Sequence, residues 1–284
     1  METGEQRAIL FDLTRCSGCG KCVAACMQKQ GFPGDPDQVK DLSATAYTAV
    51  NTVTNPEDED DEYSCRDLCR HCVQPSCASA CPVGALQKTE LGPVTYDPDI
   101  CLGCRYCMTA CPFNIPRYEW DDPVPAVRKC DMCYDRQSKG EETACTSACS
   151  YGATICGTRD EMLEEARTRL EEDPDEYYQH IYGEHEIGGT TVLFLAPFPV
   201  EELGFDPKLG NEPMPSYTGR VLEKLPGVAI TAGATMCALW WLTSRRNQVR
   251  EHEAREKYEK KAAKAAAKNG SSHGNTSHKE NGHG

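Results

Sequence analysis

Sulfur dominates the chemistry this chain can do. Its 284 residues include 19 Cys, and sixteen of these fall into four groups of related spacing. The first is Cys16-x2-Cys19-x2-Cys22-x3-Cys26, and the second is Cys69-x2-Cys72-x4-Cys77-x3-Cys81-Pro82. The third is Cys101-x2-Cys104-x2-Cys107-x3-Cys111-Pro112, and the fourth is Cys130-x2-Cys133-x11-Cys145-x3-Cys149. Groups one and three match the C-x2-C-x2-C-x3-C run that ligates [4Fe–4S] clusters, whose fourth Cys serves the neighbouring cluster. Groups two and four are the same motif opened by an insertion. A cubane needs four thiolates converging on its corners, and two-residue gaps let one tight loop aim three of them inward. The same loop turns backbone amides toward the cluster sulfides. The fourth Cys is expected to open a short helix running to the next centre, with Pro82 and Pro112 fixing φ there. Two rival chemistries are a disulfide framework and zinc. The triplets crowd too many sulfurs together for pairwise bridges alone, and a triplet followed by C-x3-C-P is not a usual zinc spacing.

The elements that must hold these motifs are sparsely apolar. Only 39% of the residues are hydrophobic and 7% aromatic, thin for a fold held by side-chain burial alone. The net charge is −14, which excludes a phosphate-tracking nucleic-acid surface. From Arg245 onward, ten Lys/Arg face five Asp/Glu, so the tail is basic and the rest strongly acidic. Spacing of Met162, Leu163, Ala166 and Leu170 predicts a helix over Asp160–Glu172, and Thr190–Leu195 reads as a short strand. Asn55–Tyr63 reads as a solvated acidic loop, and Pro197–Pro226 as an extended connector. Leu225–Thr243 carries no charge over 19 residues, enough at ~1.5 Å per residue to cross a ~30 Å hydrocarbon layer. Trp240 and Trp241 suit the interface, and small residues such as Gly227, Gly233 and Ala234 suit packing against another membrane helix. Arg245, Arg246, Arg250 and Arg255 follow the span, against Arg220 and Lys224 before it. The tail is therefore expected in the cytoplasm and the cysteine domain outside. Arg245–Lys268 reads as a solvated helix and Asn269–Gly284 as disordered. No secretory leader or twin-arginine stretch is visible before Cys16.

The four motifs in this order, with the long gap in the fourth, resemble the four-cluster ferredoxin subunits of membrane-bound oxidoreductases. These are the β subunits of molybdenum or tungsten enzymes such as formate dehydrogenase, and the similar subunit of nickel–iron hydrogenases. The resemblance covers about residues 8–244 and includes Lys129-Cys130-Asp131-Met132-Cys133, the Tyr182–Thr190 stretch YGEHEIGGT and the single C-terminal helix. It implies four [4Fe–4S] clusters with all sixteen Cys as iron ligands. Cys16, Cys19 and Cys22 would share a cluster with Cys149, and Cys130, Cys133 and Cys145 one with Cys26. Cys69, Cys72 and Cys77 would take Cys111, and Cys101, Cys104 and Cys107 would take Cys81.

The implied fold is α+β, with two interleaved bacterial dicluster ferredoxin-like modules and one C-terminal transmembrane helix. Residues 8–158 form the cluster domain, with 68–115 as the second module inserted into the first. Residues 159–224 supply a helix, a strand and a connector, 225–243 the span, and 244–284 the tail. The implied role is an electron relay, not an enzyme by itself: no catalytic residue is visible. Its partners would be a large catalytic subunit, an integral-membrane cytochrome b or quinone-binding subunit, and membrane lipid. Formate dehydrogenase-like chemistry is the first expectation, and the hydrogenase relay the alternative. Export without a leader implies travel in the folded state, bound to a signal-bearing catalytic partner. Cys65, Cys156 and Cys237 are surplus, expected as structural thiols, and His71 as an ordinary surface or hydrogen-bonded side chain. The fourth motif has Ser150 where the second and third have Pro, which bears on its turn.

Overall fold

The computed structural model describes residues 5–270 apart from 57, 121, 124 and 200–208. The chain divides into two units, one ending at Gly219 and one beginning at Arg220.

At the centre of the first unit, β1 (Arg7–Asp12) is flanked by two strands from far along the chain. β8 (Thr154–Thr158) pairs with it antiparallel, Ile9 opposite Cys156. β9 (Val192–Leu195) pairs parallel, Ile9 opposite Val192. Alternate residues of a strand face opposite sides, and the five from Ala8 to Asp12 are all buried. Ala8 and Leu10 pack with Leu193 and Leu195 against Met162, Leu163, Ala166 and Leu170 of α6 (Arg159–Glu172). Ile9 and Phe11 face the opposite way, toward Met132, Cys145 and Phe194. The sheet thus separates a helical layer from a cysteine-bearing layer.

α6 begins one residue before the predicted Asp160 because Thr158 caps it reciprocally with Glu161. Glu161 N–H donates to Thr158 Oγ1 at 3.3 Å and Thr158 N–H to Glu161 Oε2 at 2.7 Å, a capping box that satisfies two otherwise orphaned amides. The predicted strand at Thr190 starts instead at Val192, since Thr190 and Thr191 are drawn toward the second cysteine motif.

Three short ribbons complete this unit. β2 (Thr48–Asn55) and β3 (Asp58–Leu68) form an antiparallel hairpin with a bulge at Thr54/Asn55. This corrects the reading of Asn55–Tyr63 as a loop: cross-strand pairing with Thr52, Val53 and Thr54 overrides the poor strand propensity of acidic residues. β4 (Leu86–Lys88) pairs with β5 (Val94–Tyr96), and β6 (Arg117–Tyr118) with β7 (Val127–Arg128). The helices of the cysteine layer are α1 (Lys21–Gln30), α2 (Ser76–Ser79), α3 (Tyr106–Ala110), α4 (Tyr134–Gln137) and α5 (Ala144–Ser147).

α7 runs from Met214 to Gly270, so the connector expected to reach Pro226 ends at Pro213. Pro215 costs nothing in a first turn, where its missing N–H has no partner anyway. Pro226 lies inside the helix, where it forfeits one i→i−4 bond without ending the segment. α7 is the one helix among the described residues long and apolar enough to cross a membrane, and its apolar window is wholly unburied. Its exposed side chains include Ile230, Met236, Leu239, Trp240 and Trp241. The basic stretch expected as a solvated helix is helical and exposed to residue 267, while residues 271–284, read as disordered, lie outside the described residues.

Candidate functional site

The first C-x2-C loop of each motif shares one backbone device. The residue before the second Cys adopts positive φ in all four motifs: Gly18 at 67°, His71 at 45°, Gly103 at 66° and Met132 at 53°. Two of these are not glycine, and a side chain held there costs of order 1–3 kcal/mol. The turn it makes aims amides at sulfur. Gly103 N–H lies 3.4 Å from Cys101 Sγ and Met132 N–H 3.3 Å from Cys130 Sγ. Such nests of amides favour negative charge.

The helices behave differently from expectation. α2, α3 and α5 each open just before the third Cys of their motif and close before the fourth, as with Cys107 in α3 and Cys111 just beyond it, whereas α1 carries both Cys22 and Cys26 and runs on to Gln30. A C-x3-C gap spans one turn, so a helix of that length carries its two thiols ~6 Å apart along the axis.

The sulfurs gather in four quartets. Cys16, Cys19, Cys22 and Cys149 line one mostly apolar pocket. Cys81, Cys101, Cys104 and Cys107 line another. Thiols of the other two expected sets bear on one another's titration. Burial pushes Cys26 up to about 12, with the charges of Cys145 and Cys133 adding to it. Burial likewise raises Cys72 well above the usual thiol range, and Cys69, Cys111 and Cys77 add their charge. The quartets also adjoin in a row. Cys22 feels Cys145, Cys130 feels Cys69 as well as Cys26 and Cys145, and Cys77 feels Cys107. Of the sixteen, Cys19 and Cys104 alone are exposed, one in each end quartet.

In the protein interior, packed like an organic crystal, sulfur-lined pockets are places for a guest. All nineteen cysteines are free thiols. Among the described residues, no three Cys, His, Asp or Glu side chains converge closely enough for a single metal ion. The donor set and the amide cradle fit a [4Fe–4S] cubane, whose four thiolates stand apart at its corners. Cys81 is poised toward thiolate: its modest burial is outweighed by the backbone amides of Leu86, Val83, Ala85 and Gly84.

Residues 62–159 match the family model described as "4Fe-4S dicluster domain". A protein of Nitratidesulfovibrio vulgaris is 34% identical over 269 residues, 91% of this chain and 72% of that protein. The hydrogenase-2 operon protein HybA of Escherichia coli O157:H7 is 38% identical, over 72% of this chain and 73% of its own length. The chain belongs to the ferredoxin-type iron–sulfur subunit family. A further member, the iron–sulfur subunit of the nitrate-inducible formate dehydrogenase of Escherichia coli K12, is 37% identical over 66% of this chain and 67% of its own.

The stretch that resembled this family at Tyr182–Thr190 acts as a brace. Gly183, Gly188 and Gly189 all have positive φ, and a Cβ at Gly183 would come within 2.4 Å of Thr190 Oγ1 and 2.8 Å of the Val192 carbonyl. The turn delivers Thr190 as a bridge partner of Cys72. Val73 N–H donates to the Gly189 carbonyl at 3.0 Å, and Thr191 Oγ1 to that of His71. His71 is hydrogen-bonded but not at the surface: it is 1% exposed, and its Nδ1 accepts from Val94 N–H at 2.9 Å. Burial, helped by Lys129 and Lys88, holds it neutral. Of the surplus thiols, Cys65 is buried and pushed by that burial to about 12, Arg7 Nη2 lies 3.4 Å from Cys156 Sγ, and Cys237 is exposed on α7.

Motif spacing gives no sign of three cations that lie against the cysteine layer. Lys129 donates to the carbonyls of Val94 and Cys130, and Lys88 to that of His71 at 3.1 Å. The third, Arg66, is fully enclosed. A Lys directly before a cysteine motif was the one available hint. Arg66 sits in an acidic run and offered none.

Proposed function

We propose that this chain relays electrons through four [4Fe–4S] centres between a catalytic oxidoreductase subunit and a membrane partner. The observation that carries the reading is the single row of four cysteine quartets whose exposed members, Cys19 and Cys104, fall at its two ends. Each cluster supplies reversible one-electron chemistry at a potential set by hydrogen bonds, charge and exposure. The chain's own residues do the rest. Cys16, Cys19, Cys22 and Cys149 would hold the first centre, and Cys26, Cys130, Cys133 and Cys145 the second. Cys69, Cys72, Cys77 and Cys111 would hold the third, and Cys81, Cys101, Cys104 and Cys107 the fourth. Helices α1, α2, α3 and α5 would fix neighbouring separations, and the positive-φ turns at Gly103 and Met132 point amides at the Cys101 and Cys130 sulfurs. The inner quartets are kept from water, while the end quartets reach the surface, where partners dock. This arrangement reads as two dicluster modules, one inserted into the other, over residues 8–158.

α7 anchors the relay through 225–243. Arg245 and Arg246 favour a cytoplasmic tail, with the cluster domain outside and folded export alongside a catalytic subunit. A molybdenum or tungsten enzyme of the formate dehydrogenase type and a nickel–iron hydrogenase are the candidate partners. The match to HybA extends over 242 residues and that to the formate dehydrogenase subunit over 199, which favours the hydrogenase type. The membrane partner would be a cytochrome b or quinone-site subunit.

Anaerobic purification from native membranes in mild detergent, with elemental analysis, tests this. Nickel with a large subunit is expected; molybdenum or tungsten would move the assignment to formate dehydrogenase. Absence of iron and acid-labile sulfide would refute the relay.

A further inference from the structure

Arg66 is 1% exposed. Its Nε donates to Thr48 Oγ1 at 2.8 Å and its Nη1 to Thr154 Oγ1 at 3.0 Å. Both partners are neutral, and among the described residues no carboxylate forms an ion pair with it. What surrounds the guanidinium is sulfur. Arg66 itself lines the pocket of Cys16, Cys19, Cys22 and Cys149, and Cys145, Cys22 and Cys26 are the groups that most favour its charge. Cys22 belongs to the first quartet, and Cys26 and Cys145 to the second.

An arginine cannot shed its charge in a protein, and an unpaired buried ion is strongly destabilising. Its counter-charge must therefore come from the two sites it touches. We propose that Arg66 is the shared counter-cation of the first two centres and raises both of their reduction potentials. This rests on the reading of the sixteen cysteines as cluster ligands. When one electron arrives from an adjacent centre, the receiving site gains one negative charge; no bond is made or broken and no proton moves. A cation fixed between the two sites favours that reduced form in each. Poorly screened charges a few ångströms apart interact strongly enough to shift such an equilibrium by tenfold or more.

The test is a potentiometric titration followed by electron paramagnetic resonance on the purified complex, after iron and labile sulfide have been counted. Arg66→Met should retain its iron and lower the reduction equilibrium constant of two centres by at least about tenfold, 59 mV for one electron. The other two should stay within about threefold of wild type, as should all four in Arg66→Lys, which keeps the charge. Arg66→Gln carries the same expectation as Arg66→Met should the latter not assemble. Four unshifted centres, four equally shifted centres, or a Lys variant that falls as far as Met would each overturn the proposal. A wild-type complex without iron would refute the relay reading instead.

Discussion

Replacing Arg169 by Met isolates a buried charge that ties the sheet to the first cysteine loop. Asp12, at the end of β1, is fully buried, and Arg169 is 4% exposed with Nη1 2.8 Å from Asp12 Oδ2. Asp12 also accepts from Tyr177 Oη at 2.9 Å, Thr14 Oγ1 at 2.7 Å and Thr14 N–H at 3.0 Å. Removing one partner of a buried pair costs about 3–5 kcal/mol. The three remaining hydrogen bonds, and Arg15 at 3.5 Å, place this case near the lower end, about 3 kcal/mol. For a unit of this size, each kcal/mol moves the midpoint by about 2–4 °C, so the variant should melt roughly 6–12 °C lower. Loss of visible cluster absorbance on heating under anaerobic conditions, at one fixed scan rate, reads this directly. The Arg169→Met/Asp12→Asn double variant should recover part of the loss, since the stranded carboxylate is gone. A fall of less than about 2 °C, or a double variant equal to the sum of the singles, would refute the claim that this pair braces the Cys16 loop.

Cys149→Ala should lower the iron content by about a quarter, one cluster in four, whereas alanine at Cys65, Cys156 or Cys237 should leave it unchanged, both by elemental analysis. Gly183→Ala, which must clear the Val192 carbonyl at positive φ, should cost about 1–3 kcal/mol, read as a lower bleaching midpoint. Glu161 titrates below the usual carboxylate range because Thr158 N–H and then its hydroxyl favour the charged form. With a folded value below the unfolded one, its contribution is present above pH about 4.3 and lost as pH falls through the lowered value. Hydrogen exchange at the first turn of α6 should therefore accelerate on acidification in wild type and depend less on pH in Glu161→Ala.

Features encoded by local rules were legible in the sequence. α6 follows from a 3.6-residue period, although its Thr158 cap was not read, and the uncharged run over 225–243 is a length argument. The family followed from cysteine spacing because two-residue gaps constrain where three sulfurs can point. Features set by distant partners were not legible. The acidic residues of β3 are strand-forming only because β2 lies opposite them. α7 starts at Met214 because a proline near a helix start is neutral, so Pro215 was no boundary and Pro226 did not mark one either. Arg66 is the sharpest case. Nothing in its neighbours along the chain distinguishes a surface arginine from one enclosed among sulfurs.

The placement of β1 also governs when the molecule can be completed. Its partners begin at Thr154 and Val192, so the first strand emerges from the ribosome with nothing to pair with. At about 5–20 residues per second, roughly 7–30 s separate the strand from its first partner. Seventeen of the nineteen cysteines are synthesised before that strand can be closed in. The nascent chain must spend this interval with its thiols reduced, so it has to be made, loaded and shut in a reducing compartment. If the cluster domain lies outside, as proposed, maturation would precede transport, and closure of the sheet would mark when a chain is ready to leave.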